Sequence, residues 1–192
     1  MTAGDCRCLV QGWLADGSFA TKLPEVAALA GVPQPEEYHA EGDAAVHTLL
    51  AMETVAEDAD PRVFWGVLLH DIGKATTTRH EGGRWRSPGH AQAGAAQVPG
   101  IMARLGFPEL GADVAWLVRH HDFHLSWQLT PGDRLSRNQQ RFLDQPLFPL
   151  LLEVCTVDAA AAQGRSRKGE LIAYLAELLE RASSVPAEEA DR

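Results

Sequence analysis

The apolar run Val63-Phe64-Trp65-Gly66-Val67-Leu68-Leu69 leads without interruption into His70-Asp71. Asp60 as N-cap, Pro61 at the first helical position and a stop near Gly73 predict a helix across this run. Such a helix is buried, and its end brings an imidazole and a carboxylate together in the interior. A chain built around it has to satisfy both groups largely without water.

Elsewhere apolar residues recur at intervals of three and four, and period-two alternation is almost absent, so the expected fold class is all-α. The 192 residues, 45% of them hydrophobic, suffice for one core without disulfides, which predicts a compact single-domain helical bundle. Residues 1–42 are expected to form an irregular N-terminal segment packed on the domain. Pro24, Gly31, Pro33 and Pro35 leave room there only for short turns around Leu9 to Leu14 and Val26 to Ala30. Helices are predicted from Asp43 to Glu57, from Pro61 to Gly73, from Ser87-Pro88 onward with a break at Pro99-Gly100, and from Pro108 to His124. Others are predicted near Arg134–Asp144, Leu147–Gln163 and Lys168–Arg181, completing a domain over 43–183, with 184–192 read as a disordered polar tail.

A formal net charge of −9 argues against nonspecific binding to nucleic acid or an anionic membrane as the main activity. Cys6, Cys8 and Cys155 are odd in number and lack paired C-x-x-C spacing, so neither a disulfide framework nor a structural zinc site is expected. There is no run of 18 apolar residues, and Asp5-Cys6-Arg7-Cys8 does not fit a signal peptide, so the expected location is cytoplasmic, with no membrane partner.

His47 lies ten positions before Glu57 and His70 nine after Pro61, across a short helical hairpin. A rise of about 1.5 Å per residue therefore brings the two rings to the same level. His47 shares a stripe with Leu50, Ala51 and Thr54, which turns it toward the core, where burial favours the neutral, metal-binding ring. Asp158 lies in a stripe with Leu150, Leu151, Val154 and Ala161, and a carboxylate buried there needs a cation. One divalent metal held by His47, His70, Asp71 and Asp158 accounts for all four, against the plainer account that each is a separately hydrogen-bonded core residue. A second ion, bridged by Asp71, would be completed by His90 and by one of the pair His120-His121. Periodicity leaves that pair open, since His120 follows Trp116 by four and His121 follows Leu117 by four; His120 is taken first and His121 is the alternative. Paired metals can activate water and hold a phosphoryl oxygen. With one metal, His90 and His120 would instead be hydrogen-bond donors to substrate.

Lys74, Arg79, Arg84 and Arg86 face only Glu81 in a polar loop before His90, and Arg165, Arg167 and Lys168 form a second basic stretch near Asp158. Lys74, Arg79, Arg84, Arg86 and Arg165 read as binders of substrate phosphate, with Lys74 set beside the metal ligands by the Gly73 helix stop. Gly73-Lys74 is not a P-loop, because Leu68 stands where the first glycine would be. His39 and His80, in polar loops, and His124, expected at the surface, are given no role.

The order His47, His70-Asp71, His90, His120-His121, Asp158 resembles that of the HD-domain metal-dependent phosphohydrolase superfamily over about residues 40 to 170. Leu23-Pro24-Glu25-Val26-Ala27-Ala28-Leu29-Ala30-Gly31-Val32-Pro33-Gln34, Glu41-Gly42-Asp43, His47-Thr48-Leu49-Leu50 and Asp158-Ala159-Ala160-Ala161-Ala162-Gln163-Gly164-Arg165 are similar to the HD region of CCA-adding tRNA nucleotidyltransferases. Those enzymes carry an N-terminal nucleotidyltransferase head with a strand-borne Asp-x-Asp. Here Asp58-Ala59-Asp60 reads as a helix cap, so CCA addition by this chain alone is not expected. The resemblance implies an HD-type bundle with one or two divalent ions per chain: Ni, Co, Mn or Mg, with Fe a further choice. It also implies hydrolysis of nucleotide-type phosphomonoesters or 2′,3′-cyclic phosphodiesters, with Asp71 as ligand and water-orienting group and Lys74 neutralising developing charge. The expected partners are a small nucleotide or other phosphorylated molecule, and RNA 3′ ends. The same ligand set is compatible with a di-iron HD-fold oxygenase, and the resemblance also with a noncatalytic HD module that binds RNA or a separate nucleotidyltransferase.

Overall fold

A computed structural model describes residues 1–127, 133–164 and 168–184. In chain order its helices are α1 (Ala3–Ala15), α2 (Phe19–Lys22), α3 (Pro24–Ala27), α4 (Ala44–Thr54), α5 (Pro61–Leu69) and α6 (Lys74–Thr77). A two-stranded hairpin follows, β1 (Arg79–Glu81) and β2 (Arg84–Arg86). The remaining helices are α7 (His90–Ala95), α8 (Val98–Leu105), α9 (Gly111–His120), α10 (Arg137–Leu143), α11 (Phe148–Ala161) and α12 (Lys168–Ser184). The fold is all-α apart from the hairpin.

Helix α5 is the axis of the bundle. Asp60 accepts from the Arg62 N–H and Pro61 occupies the first turn, as the sequence predicts, and every residue from Val63 to Leu69 is buried. It packs against α1, α4, α9 and α11. Gly66 permits this crowding: a β-carbon there would come within 3.0 Å of Val154 on α11 and 3.4 Å of Leu117 on α9. Trp65, Phe64, Leu68 and Leu69 are fully buried, each worth about 1.5–3 kcal/mol of transfer free energy. Helix α4 starts at Asp43, whose carboxylate accepts from Val46 N–H and also from Gly31 N–H, tying the N-terminal segment to the bundle.

Three segments differ from the sequence expectation. Residues 3–15 form a regular helix, where only short turns were expected. Thr2 and Asp5 make a capping box, Ala3, Cys6 and Val10 are buried, and the N–H groups of Ala3 and Gly4 bond to Ala59 and Glu57 carbonyls in the α4–α5 connection. The polar loop before His90 contains a hairpin, because Gly82 and Gly83, both at positive φ, supply the two-residue turn that suits twisted strands. The break expected at Pro99-Gly100 falls earlier, between Ala95 and Val98, which leaves Pro99 in the first turn of α8. Arg165 and Arg167 and the tail beyond Ser184 lie outside the described residues. No helix among the described residues is long and apolar enough to cross a membrane.

The Asp60 cap yields a stability prediction. Asp60→Ala should lower unfolding free energy by about 1–2 kcal/mol in urea titrations, and Asp60→Asn by less. Hydrogen bonds from Arg62 hold the Asp60 carboxyl below the usual range. Its charge therefore contributes fully above the ordinary aspartate value of about 3.9 and is lost as pH falls through the lowered one, so the difference between wild type and Asp60→Ala should shrink there.

Candidate metal centre

Five helix ends or faces bring six donor side chains together. His47 comes from the buried face of α4, His70 and Asp71 from the turn that ends α5, His90 from the first residue of α7, His121 from the residue after α9, and Asp158 from α11. All but His90 are buried. His47 Nε2 lies 2.9 Å from Asp158 Oδ1, and His70 Nε2 lies 3.2 Å from Asp71 Oδ2 and 3.7 Å from Asp158 Oδ1. The other Asp71 oxygen, Oδ1, faces His90 Nε2 at 3.5 Å and His121 Nε2 at 3.9 Å, and these two nitrogens are 3.1 Å apart. Two ligand groups result, His47–His70–Asp71 and Asp71–His90–His121, each with donor atoms within 4.8 Å of one another and with Asp71 common to both.

The outer nitrogens decide what the inner ones can do. Nδ1 of His70 bonds to the Val67 carbonyl at 2.6 Å, that of His90 to the Ser87 carbonyl at 2.9 Å, and that of His121 to the Val118 carbonyl at 2.8 Å. In each case the acceptor is three residues back in the chain, and for His70 and His121 it is a last-turn carbonyl with no partner within its helix. His47 Nδ1 bonds to Glu41 Oε1 at 2.7 Å. Carbonyls and carboxylates only accept, so all four rings donate from Nδ1 and each neutral ring turns its Nε2 lone pair inward. His90 and His121 thus oppose lone pairs at 3.1 Å, and His70 Nε2 is buried with no hydrogen-bond partner. A cation resolves both conflicts, and this donor set fits a metal ion.

Electrostatics point the same way. Burial pushes the Asp71 carboxyl up, but the neighbouring His70 and Lys74 charges outweigh it and hold Asp71 ionised, well below the usual range. Burial opposes charge on His70, yet the Asp71 carboxylate prevails and raises its pKa, so that without a metal a proton on Nε2 is favoured where a cation would otherwise answer the carboxylate. Burial, reinforced by the nearby His70 and His90 rings, keeps His121 neutral. Lys74 Nζ bonds to Asp71 Oδ2 and to Gln34 Oε1, both at 2.7 Å. The centre opens at this edge, where the side chains of Lys74 and His90 are 14% and 13% exposed against 1% for Asp71.

His47, His70, Asp71, His90 and Asp158 converge, but the ranking of His120 over His121 is corrected: His121 joins the cluster. The buried stripe of α9, Val114, Leu117 and Val118, continues to His121, whereas His120 follows half-buried Trp116 and lies against it and Phe142. The hairpin carries Arg79, Arg84 and Arg86 with Glu81 on one exposed face and His80 with Trp85 on the other, and Arg79 bonds to Glu81. Among the described residues, no hydrogen bond or ion pair joins these arginines to the cluster. His124 is buried, not at the surface. His39 is also more than a loop histidine: with His47 it shares Glu41 Oε1, while Glu41 Oε2 takes the Gln163 N–H. Glu41 and Gln34 were not recognised as parts of the site; a carboxylate six residues before His47 was the available signal for the first.

A family profile described as HD domain matches residues 39–163. The chain belongs to the HD domain family. Relatives of this HD domain include proteins named Multifunctional CCA protein. That of Alkalilimnicola ehrlichii is 38% identical over 154 residues, covering 77% of this chain and 37% of the relative. Those of Ectopseudomonas mendocina and Teredinibacter turnerae are 36% and 33% identical, covering 88% and 89% of this chain and 42% and 43% of themselves. The chain thus spans about two-fifths of the length of these relatives. The HD superfamily consists generally of metal-dependent hydrolases.

Gly73 offers a direct check of the geometry. A β-carbon there would overlap the His90 carbonyl and crowd Gly94 N. Gly73→Ala should therefore push α7 away, destabilise the protein by about 1–3 kcal/mol in thermal melts, and reduce bound metal through displacement of His90.

Proposed function

We propose that this HD domain is a metal-dependent phosphohydrolase acting on nucleotide-type phosphomonoesters or 2′,3′-cyclic phosphodiesters. The observation that carries the reading is the convergence of four inward Nε2 lone pairs with the Asp71 and Asp158 carboxylates. Donor pairs 2.9, 3.1 and 3.2 Å apart match neighbouring ligands at right angles around an ion with bonds of about 2.1 Å. His47, His70, Asp71 and Asp158 would hold one divalent ion, and Asp71, His90 and His121 a second. The imidazole-rich set favours Ni, Co, Mn or Fe over Mg. Such ions supply Lewis-acid activation of water and neutralise phosphoryl charge.

The chain's own residues do the rest. Asp71 offers one oxygen to each ligand group. Lys74 has two of its three protons engaged, leaving one for a phosphate oxygen entering at the exposed edge beside His90. Arg79, Arg84 and Arg86, on the hairpin between Lys74 and His90, would raise the local potential for an anion, and Arg165, seven residues after Asp158 in the chain, is a further candidate for binding phosphate. Glu41 orients His47, with His39 behind it. RNA 3′ ends are one substrate context under this reading.

The test is a nucleotide panel with metal-loaded protein. Phosphate release from 2′-nucleotides or opening of 2′,3′-cyclic nucleotides is expected, abolished by EDTA and reduced at least a hundredfold, by our order-of-magnitude estimate, in Asp71→Ala. No turnover at full metal occupancy, or full activity in Asp71→Ala, would overturn the reading. Bound iron with a visible absorbance after aeration, and neither phosphate release nor opening of cyclic phosphates, would support oxygen chemistry instead. Glu41→Ala should weaken metal binding about 10- to 100-fold by calorimetry while Glu41→Gln, which keeps an acceptor for His47 Nδ1, weakens it less.

A further inference from the structure

At the C-terminal end of α9 lies an open cavity of about 550 Å³, lined by Gln92, Arg119, His120, Asp122, Trp127 and Phe142 among others. His120, displaced from the metal ligands by His121, forms part of its wall. The ring centroids of His120 and Phe142 are 5.3 Å apart, and those of Trp127 and Phe142 5.6 Å, so three aromatic groups meet at one side. The polar lining is mixed: Arg119 only donates, Asp122 only accepts, and Gln92 does both.

This combination selects among ligands. An acyl chain would offer no hydrogen bond to Asp122, Arg119 or Gln92 along the rim. A phosphate would meet the Asp122 carboxylate. A flat heterocycle with an aromatic face and an edge of donors and acceptors suits both surfaces, and the volume lies in the range of small-ligand pockets. The lining adjoins the metal ligands along the chain: His120 directly precedes His121, and Gln92 lies two residues beyond His90.

We propose that this cavity receives the nucleobase of a substrate whose phosphate lies at the His/Asp centre, with His120, Trp127 and Phe142 against the ring and Arg119, Asp122 and Gln92 along its edge. The position of the phosphate rests on the phosphohydrolase reading, whereas the base site does not.

The experiment titrates adenosine, guanosine, cytidine and uridine, which carry no phosphate, into the full-length protein as isolated, followed by tryptophan fluorescence and calorimetry. At least one nucleoside should bind, and His120→Ala and exposed-rim Arg119→Ala should each weaken it about fivefold or more, with melting temperature and metal content retained. In turnover, the KM advantage of the matching nucleotide over glycerol 2-phosphate should fall in both variants. No binding by any of the four nucleosides, or unchanged binding in both variants, overturns the proposal. Nucleoside binding with neither phosphate release nor opening of cyclic phosphates at full metal occupancy upholds the base site and overturns the phosphohydrolase reading. Hydrolysis of nucleotides and glycerol 2-phosphate with equal efficiency, without nucleoside binding, does the reverse.

Discussion

Four Nδ1–H hydrogen bonds hold the centre of this molecule in a state that demands a cation. By engaging the outer nitrogen of His47, His70, His90 and His121, Glu41 and three backbone carbonyls commit the inner nitrogens as lone pairs. Inside a helical bundle those lone pairs and two carboxylates have little water to answer them, and the local dielectric magnifies the conflict. The arrangement therefore makes physical sense as a binding site, and very little as a set of independently satisfied core residues.

The bundle is organised to keep this conflict in place. Helix ends do most of the positioning, since His70 and His121 each follow a helix by one residue and bond to a carbonyl that the helix leaves without a partner. Gly66 lets α9 and α11 close on α5, and Gly73 lets the start of α7 approach the His-Asp turn. Tight backbone approach brings donors from five helices to one point without long, mobile side chains. The exposed edge at Lys74 and His90 then supplies an approach from solvent.

Much of the site was legible along the chain because its parts are local. Asp60-Pro61, the apolar run and His70-Asp71 specify a buried helix and what it delivers, and the stripes around His47 and Asp158 turn both inward. Helix α1 was missed although it had a signal: Thr2 and Asp5 at capping-box spacing, and Ala3, Cys6 and Val10 three and four apart, small residues whose weak apolar contrast hid the pattern. The hairpin likewise was announced by Gly82-Gly83 but masked by its charged strands, which face solvent on both sides.

Periodicity and capping thus suffice to establish the helices, their order, and the delivery of imidazoles and carboxylates into one core, because each depends on neighbours within a turn or two. The choice between His120 and His121 depends instead on how α9 is rotated against α5 and α7, since adjacent helical positions differ by about 100° and both had apolar residues four before them. Glu41 behind His47 and Gln34 on Lys74 arrive from a segment with no periodicity, so their roles exist only once long-range packing has brought that segment to the centre.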